Sequence, residues 1–319
     1  MPRSTRESGW GPKAMSKPAK VYTPGHALFS AFLEHRLAVA SLALLLLFGL
    51  LALAAPLFEM ILNLDAEATD LFNRFAPISA QHWLGTDEAG RDIFLRLLYG
   101  GRVSLFVGIS AALLSAAIGT VIGLWAGYMG GWLDRLLMRL TDGVISLPLL
   151  PLLIIMAAID PAKLGLPEAL ARSDSFSLYR IILIVSLVGW TTVARLVRAE
   201  TLSLRRRDFI TAARAQGLSI PTILYRHLLP NTLPVIIVAA TLTIGSVILF
   251  ESVLSFLALG IQPPTPSWGN MLTAVQDYIW DAPLLALWPG LAIFATVIAF
   301  NFLGDGLQDA LDPKRIHRR

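Results

Sequence analysis

Six stretches of the chain are apolar enough, over enough residues, to cross a bilayer or nearly so, where a spanning helix needs about 20 mostly apolar positions. They cover residues 38–58, 103–128, 136–158, 181–194, 232–260 and 284–304. The first carries the run Ser-Leu-Ala-Leu-Leu-Leu-Leu-Phe-Gly-Leu-Leu from Ser41, and the second and sixth hold no charged residue. The third starts among Arg139 and Asp142 and is interrupted by Pro148 and Pro151. The fourth has a short apolar core, extended by turns carrying Arg195 and Arg198. The fifth is the longest and contains one acid, Glu251. The pattern predicts an all-α polytopic membrane protein with six transmembrane helices.

Charge between the spans supports that count. Of the 26 Lys and Arg residues, 19 fall in 1–36, 129–139, 195–230 and 305–319, which six crossings place on one side. The excess of Lys and Arg marks the cytoplasmic side and predicts both termini there. The expected organisation is a tail (1–36), a first transmembrane helix (37–58), an extracytoplasmic loop (59–102), a five-helix transmembrane domain (103–305) and a tail (306–319). The domain encloses a cytoplasmic loop, 200–231. Gly and Pro make the first tail loose, and 28–36 suits a short interfacial helix. A cleaved signal peptide fits poorly, because the first apolar run is too long and follows 36 residues of tail.

Composition closes other routes. The chain is 55% apolar and 15% charged, with mean hydropathy +0.65; a soluble domain carries roughly a quarter charged residues. There is no cysteine among the 319 residues, so thiolate metal sites and cysteine nucleophiles are excluded. The basic residues, 21 Arg and five Lys, sit between apolar runs, which argues for loop charge and against nucleic acid.

Three features of the spans bear on packing. Gly108, Ala112, Ala116, Gly119, Gly123 and Gly127 put a small residue every three or four positions, so another helix backbone can approach closely. Within the subunit this is ordinary packing; a subunit interface or pathway wall is the alternative. Pro148 and Pro151 remove backbone donors and kink the third helix, which suits either a pathway wall or a packing kink. Glu251 lies 19 residues into its span, roughly 28 Å along the axis. It is therefore either an interfacial acid or a gate or substrate contact. Arg139 and Asp142, three apart, are placed to pair.

Catalytic chemistry is missing. No phosphate-cradling G-x4-G-K-[ST] loop and no H-E-x-x-H are present, and His26, His35, His82, His227 and His317 are scattered. The spans contain serines but no histidine to serve as base. The chain is expected to be no enzyme and to hold no cofactor or metal.

Two segments are informative. In 200–231, Phe209, Ala212, Ala213 and Gln216 support a short helix that Gly217 stops. Ser219 then caps a second helix, with Pro221 in its first turn. That helix should end before Pro230, with Asn231 capping the fifth span. The product is a helix–turn–helix knob between two membrane helices, with Ala212 and Ala213 forming a flat docking face. The spacing Ala212-Ala213-x3-Gly217-x11-Leu229-Pro230 resembles the EAA loop of binding-protein-dependent ABC importer permeases. Thr211 stands where that motif often has Glu, and His227 where it often has Ile. The His-x-Leu-Pro-Asn ending is similar to the dipeptide/oligopeptide/nickel branch.

The second segment, Leu84-Gly-Thr-Asp-Glu-Ala-Gly-Arg-Asp92 followed by Arg96, Tyr99, Gly100, Arg102 and Ser104, offers Thr86 or Asp87 as a helix cap. It resembles the GTDxxGRD segment of the family's C-type permeases. So does the stretch from Glu251 to Met271, where Ala258 replaces a common glycine, a change expected to be harmless.

The resemblance implies a type I ABC importer permease fold in a multi-pass subunit of the bacterial inner membrane. It implies four kinds of partner: a B-type permease subunit, two ATP-binding cassette subunits that hydrolyse the ATP, an extracytoplasmic substrate-binding protein, and the bilayer. Arg207, Asp208, Phe209, Thr211, Ala212, Ala213, Gly217, His227, Leu229 and Pro230 would couple to the ATPase. Pro148, Pro151 and Glu251 are candidates for the translocation pathway. Peptides lead as substrate; nickel and peptide-like antibiotics are alternatives. An ion-coupled secondary transporter is the rival reading, but it calls for midplane acids and repeat symmetry.

Overall fold

The computed structural model describes residues 31–311, except 166, 168–172 and 274. Most of the tail expected over 1–36, and the last eight residues of the one over 306–319, lie outside the described residues. Of the interfacial helix expected over 28–36, residues 31–34 are helical.

The first span is α1 (Arg36–Leu53) continued by α2 (Ala55–Leu62), with the break where Pro56 lacks an N–H. Then come α3 (Ile93–Met129), α4 (Gly131–Ser146), α5 (Leu149–Ala158), α6 (Asp174–Leu204) and the short α7 (Asp208–Ala215). The chain continues through α8 (Ile220–Phe256), the short α9 (Val275–Tyr278) and α10 (Leu284–Leu311). Among the described residues the sole bridge of extended backbone joins Thr86 to Asp92.

Five helices are long and apolar enough to cross a membrane: α1, α3, α6, α8 and α10. The pair α4–α5, bent by 85°, is the candidate for a sixth crossing. The sequence predicts a kink there, and the observed break is sharper. Leu147 and Pro148 are both extended, so Pro148 ends one helix and starts another, while Pro151 sits harmlessly in the first turn of α5. With 37 residues, α3 is about 55 Å long, well beyond a hydrocarbon core of about 30 Å.

The longest seam is α3 against α6. A Cβ on Gly119 would lie 2.6 Å from the Trp190 carbonyl, and one on Gly123 2.7 Å from that of Ala194. On Gly127 it would fall 2.7 Å from Thr201 Cβ. The glycine ladder is thus an intrasubunit seam, and only glycine permits this approach. Gly108 uses the same device against Ile248 of α8. Beyond α8 stands α10, and α1 closes over α10 and α3.

The opposite end of α3 is capped by Asp92, whose Oδ1 accepts from Leu95 N at 2.8 Å. This corrects the expected cap at Thr86 or Asp87. Asp87 instead folds its own loop, accepting from the backbone of Ala89 and Arg91 (both 2.9 Å) and from Arg91 Nε (2.7 Å). Thr86 Oγ1 accepts from Ala76 N at 2.8 Å.

Candidate coupling knob and pathway wall

Of the helix–turn–helix expected within 200–231, residues 207–218 hold the first helix and its turn, and these make the knob. Arg207 is extended and its carbonyl starts α7, accepting from Ile210 and Thr211. The helix stops at Gly217, which has φ +76°. There the N–H of Leu218 donates to Ala213 O (3.2 Å) and that of Gly217 to Arg214 O (2.9 Å). These two bonds satisfy the last carbonyls and require the left-handed residue that glycine supplies. Ser219 takes the extended cap conformation, but its hydroxyl pairs with Thr222 Oγ1 at 2.8 Å and makes no backbone cap.

The second knob helix does not end before Pro230. Residues 220–256 are continuous, with a π-helical turn over Ile223–Leu228. There the Leu229 N–H reaches back five residues to Leu224 O. The wider turn makes room for the Pro230 ring, which in α geometry clashes with the carbonyl four residues earlier. Asn231 therefore stands inside the helix, and its Nδ2 donates to His227 O at 2.6 Å.

The two alanines expected on one flat face point opposite ways. Ala213 is buried with Ile210, Ile223, Leu224 and Leu228, packed on Leu124 and Tyr128 of α3 and on Val193 and Val197 of α6. Full burial of a side chain the size of Leu or Ile stabilises by about 1.5–3 kcal/mol, so the knob is fixed to the body. Ala212 faces out with Asp208, Phe209, Thr211, Gln216 and Gly217, leaving a free surface. Arg207 and Pro230 are exposed; His227 and Leu229 are half-buried.

Three arginine contacts that sequence reading missed tie the knob end together. Arg205 Nη1 donates to Tyr128 O at 2.8 Å, completing the C-terminal end of α3. Arg214 stacks over the Tyr128 ring, 4.8 Å from its centroid, and its Nε donates to the phenol oxygen at 3.2 Å. Arg198 of α6 is bidentate to Asp134 of α4 at 2.5 and 2.7 Å. Asp142 takes Arg195 at 2.5 Å in place of the expected Arg139. Alternating charge on α4 was the one available signal for the ion pairs; nothing local marked Tyr128.

A cavity of about 360 Å³ opens between the α4–α5 break, α6 and α8. Leu147 and Leu149, either side of Pro148, line it with Val188 and Val247. Its polar side chains are Thr191, Thr192, Thr243 and Ser246; among the described residues no charged side chain lines it. Glu251 is absent from this wall. It is fully buried on the α3 side of α8, accepting from Ser104 Oγ (3.2 Å) and Ser255 Oγ (2.8 Å). Ser255, four residues on along the same helix face, was a readable clue.

This arrangement, a bundle split around an uncharged cavity with a small helical knob at one end, has clear relatives. Residues 119–317 match the family described as binding-protein-dependent transport system inner membrane component. Residues 23–77 match the N-terminal transmembrane domain of oligopeptide transport permease C. The dipeptide transport system permease protein DppC of Alkalihalophilus pseudofirmus is 41% identical over 293 residues, 92% of this chain and 90% of that one. The glutathione transport system permease protein GsiD of Escherichia coli O6:K15:H31 is 42% identical over 310 residues, 97% of each. A chain of the inward-facing MetNI methionine ABC transporter superposes with TM-score 0.52 at 21% identity, covering 66% of this chain and 93% of that chain. That likeness supports the fold. The protein belongs to the family of binding-protein-dependent transport system inner membrane components. It is a multi-pass permease subunit of an ABC importer in the bacterial inner membrane.

Proposed function

We propose that this subunit forms half of a translocation pathway for peptides and couples it to ATP hydrolysis through the knob at 207–218. The observation that carries the reading is the free face of α7 above a buried core shared by α3, α6 and α8. An ATPase subunit seated on that face displaces all three helices together. Because α6 and α8 also line the cavity, movement of the knob reshapes the pathway. The partner must hold the knob differently in its two nucleotide states, since equal binding shifts nothing.

The knob end faces the cytoplasm in this reading, with both termini on that side, which the Lys/Arg excess supports. A B-type permease covers the open side of the cavity, two ATPase subunits bind inside, and a substrate-binding protein delivers solute outside. Relatives named for dipeptide and glutathione transport favour short peptides. The wall suits them: its hydroxyls can meet backbone amides, and it has no fixed charge to trap a terminus. Selection then rests with the binding protein. The same wall argues against ion-coupled transport, because the one acid deep in α8 is sealed away from it.

The test is uptake of a radiolabelled dipeptide by proteoliposomes holding the complete importer. Uptake is expected with ATP and binding protein, and none with an ion gradient alone; gradient-driven uptake without ATPase subunits contradicts the reading. Gly217→Val should abolish ATP-driven uptake while leaving the subunit inserted, because a β-branched residue resists φ +76°. Gly217→Asn should retain transport, since Asn tolerates that conformation.

A further inference from the structure

Glu251 is the centre of a hydrogen-bonded hub that the coupling mechanism above leaves unused. Two serines each accept a loop backbone N–H and direct their own hydroxyl to the Glu251 carboxyl. Ser104 of α3 accepts from Trp268 N at 3.2 Å and donates to Oε2. Ser255 of α8 accepts from Ile261 N at 3.0 Å and donates to Oε1. Ser267, within the loop itself, accepts from Asn270 N at 3.1 Å and is fully buried. One carboxyl therefore joins α3, α8 and residues 261–270.

The surrounding packing has little slack. A Cβ on Gly101 would come within 2.9 Å of the Trp268 ring, and one on Gly269 within 2.6 Å of Ser252 Cα. Trp268 Nε1 donates to Leu97 O at 3.0 Å. Between the pinned positions, Gln262, Pro263 and Pro264 project into solvent.

We propose that Glu251 is a positioning residue of the transport cycle: it locks residues 257–273 to α3 and α8, so that helix motion begun at the knob reaches the outer mouth. Without the hub the loop follows the helices loosely, and ATP turnover separates from the delivery of solute by the binding protein. This inference rests on the function proposed above.

The test uses the complete importer in proteoliposomes with Glu251→Gln, which keeps the volume but puts an NH2 donor where a hydroxyl already donates. Ser104→Ala and Ser255→Ala each remove one relay and leave the acid in place. Uptake per assembled complex is expected to fall about tenfold in Glu251→Gln, the scale of losing one strong buried hydrogen bond. The stimulation of ATP hydrolysis by binding protein should fall with it. A merely structural acid would lower the amount of complex but not that ratio. In this cysteine-free chain, a Gln262→Cys reporter reads the loop directly with a membrane-impermeant maleimide. Its labelling rate should differ between ATP-bound and nucleotide-free complexes, and the difference should vanish in Glu251→Gln. Normal uptake and stimulation in Glu251→Gln overturns the proposal. If Glu251→Gln does not assemble, normal coupling in both serine variants overturns it equally. Failure of wild-type ATP-driven uptake would instead strike the functional reading.

Discussion

Two residues close helices with the same pair of hydrogen bonds and differ in how well they suit it. At the end of α7, Gly217 takes φ +76°. At the end of α8, Ala258 takes φ +58°, with Leu259 N donating to Leu254 O (2.8 Å) and Ala258 N to Ser255 O (2.9 Å). A glycine suits this left-handed position better than Ala258 does, so the expectation that alanine is harmless here does not hold. A left-handed Ala costs roughly 1–2 kcal/mol, and Gly returns part of that through its larger entropy loss of about 0.5–1 kcal/mol. Ala258→Gly should therefore stabilise the subunit by about 0.5–1 kcal/mol, read as a higher Tm of the purified complex. A lower Tm would mean the conformation carries no strain. The apolar run continues to residue 260, so the sequence did not mark this turn. Gly217 was legible because a helix stop at glycine is a local rule, whereas the Glu251 hub joins three elements.

At the scale of elements, apolar runs located the candidate crossings but not their ends. The fifth helix starts at Ile220, twelve residues before the apolar run, because a π turn absorbs Pro230. A proline read locally says stop, and only the wider turn, held by the buried Leu224 and Leu228, lets the helix continue. The third crossing shows the converse: Pro148 breaks it outright because no wider turn compensates. The glycine ladder was legible as close packing, though its partner was not. Gly123→Val should destabilise the α3–α6 seam by about 1–3 kcal/mol or more, since its Cβ meets the Ala194 carbonyl at 2.7 Å. Thermal unfolding of the purified complex measures this, with Gly49→Ala, which meets nothing within 4 Å, as the neutral control. Equal Tm values for both would show that the seam opens freely.

For the whole molecule, the central claim is mechanical: one exposed helix face at the cytoplasmic end drives a body of three membrane helices. Charge distribution supports the proposed orientation, and the glycine stop located the first knob helix. The cavity was not legible, because its wall comes from the broken pair α4–α5, α6 and α8 together. The most direct measurement places a photo-crosslinker on Ala212→Cys in the otherwise cysteine-free chain and irradiates the assembled importer in inverted membrane vesicles. The account predicts a covalent adduct with the ATPase subunit whose yield changes between ATP-bound and nucleotide-free states, and no such adduct from Gln262→Cys. Absence of the Ala212 adduct in a transporting complex, or modification of that cysteine only from the extracytoplasmic side, would contradict it.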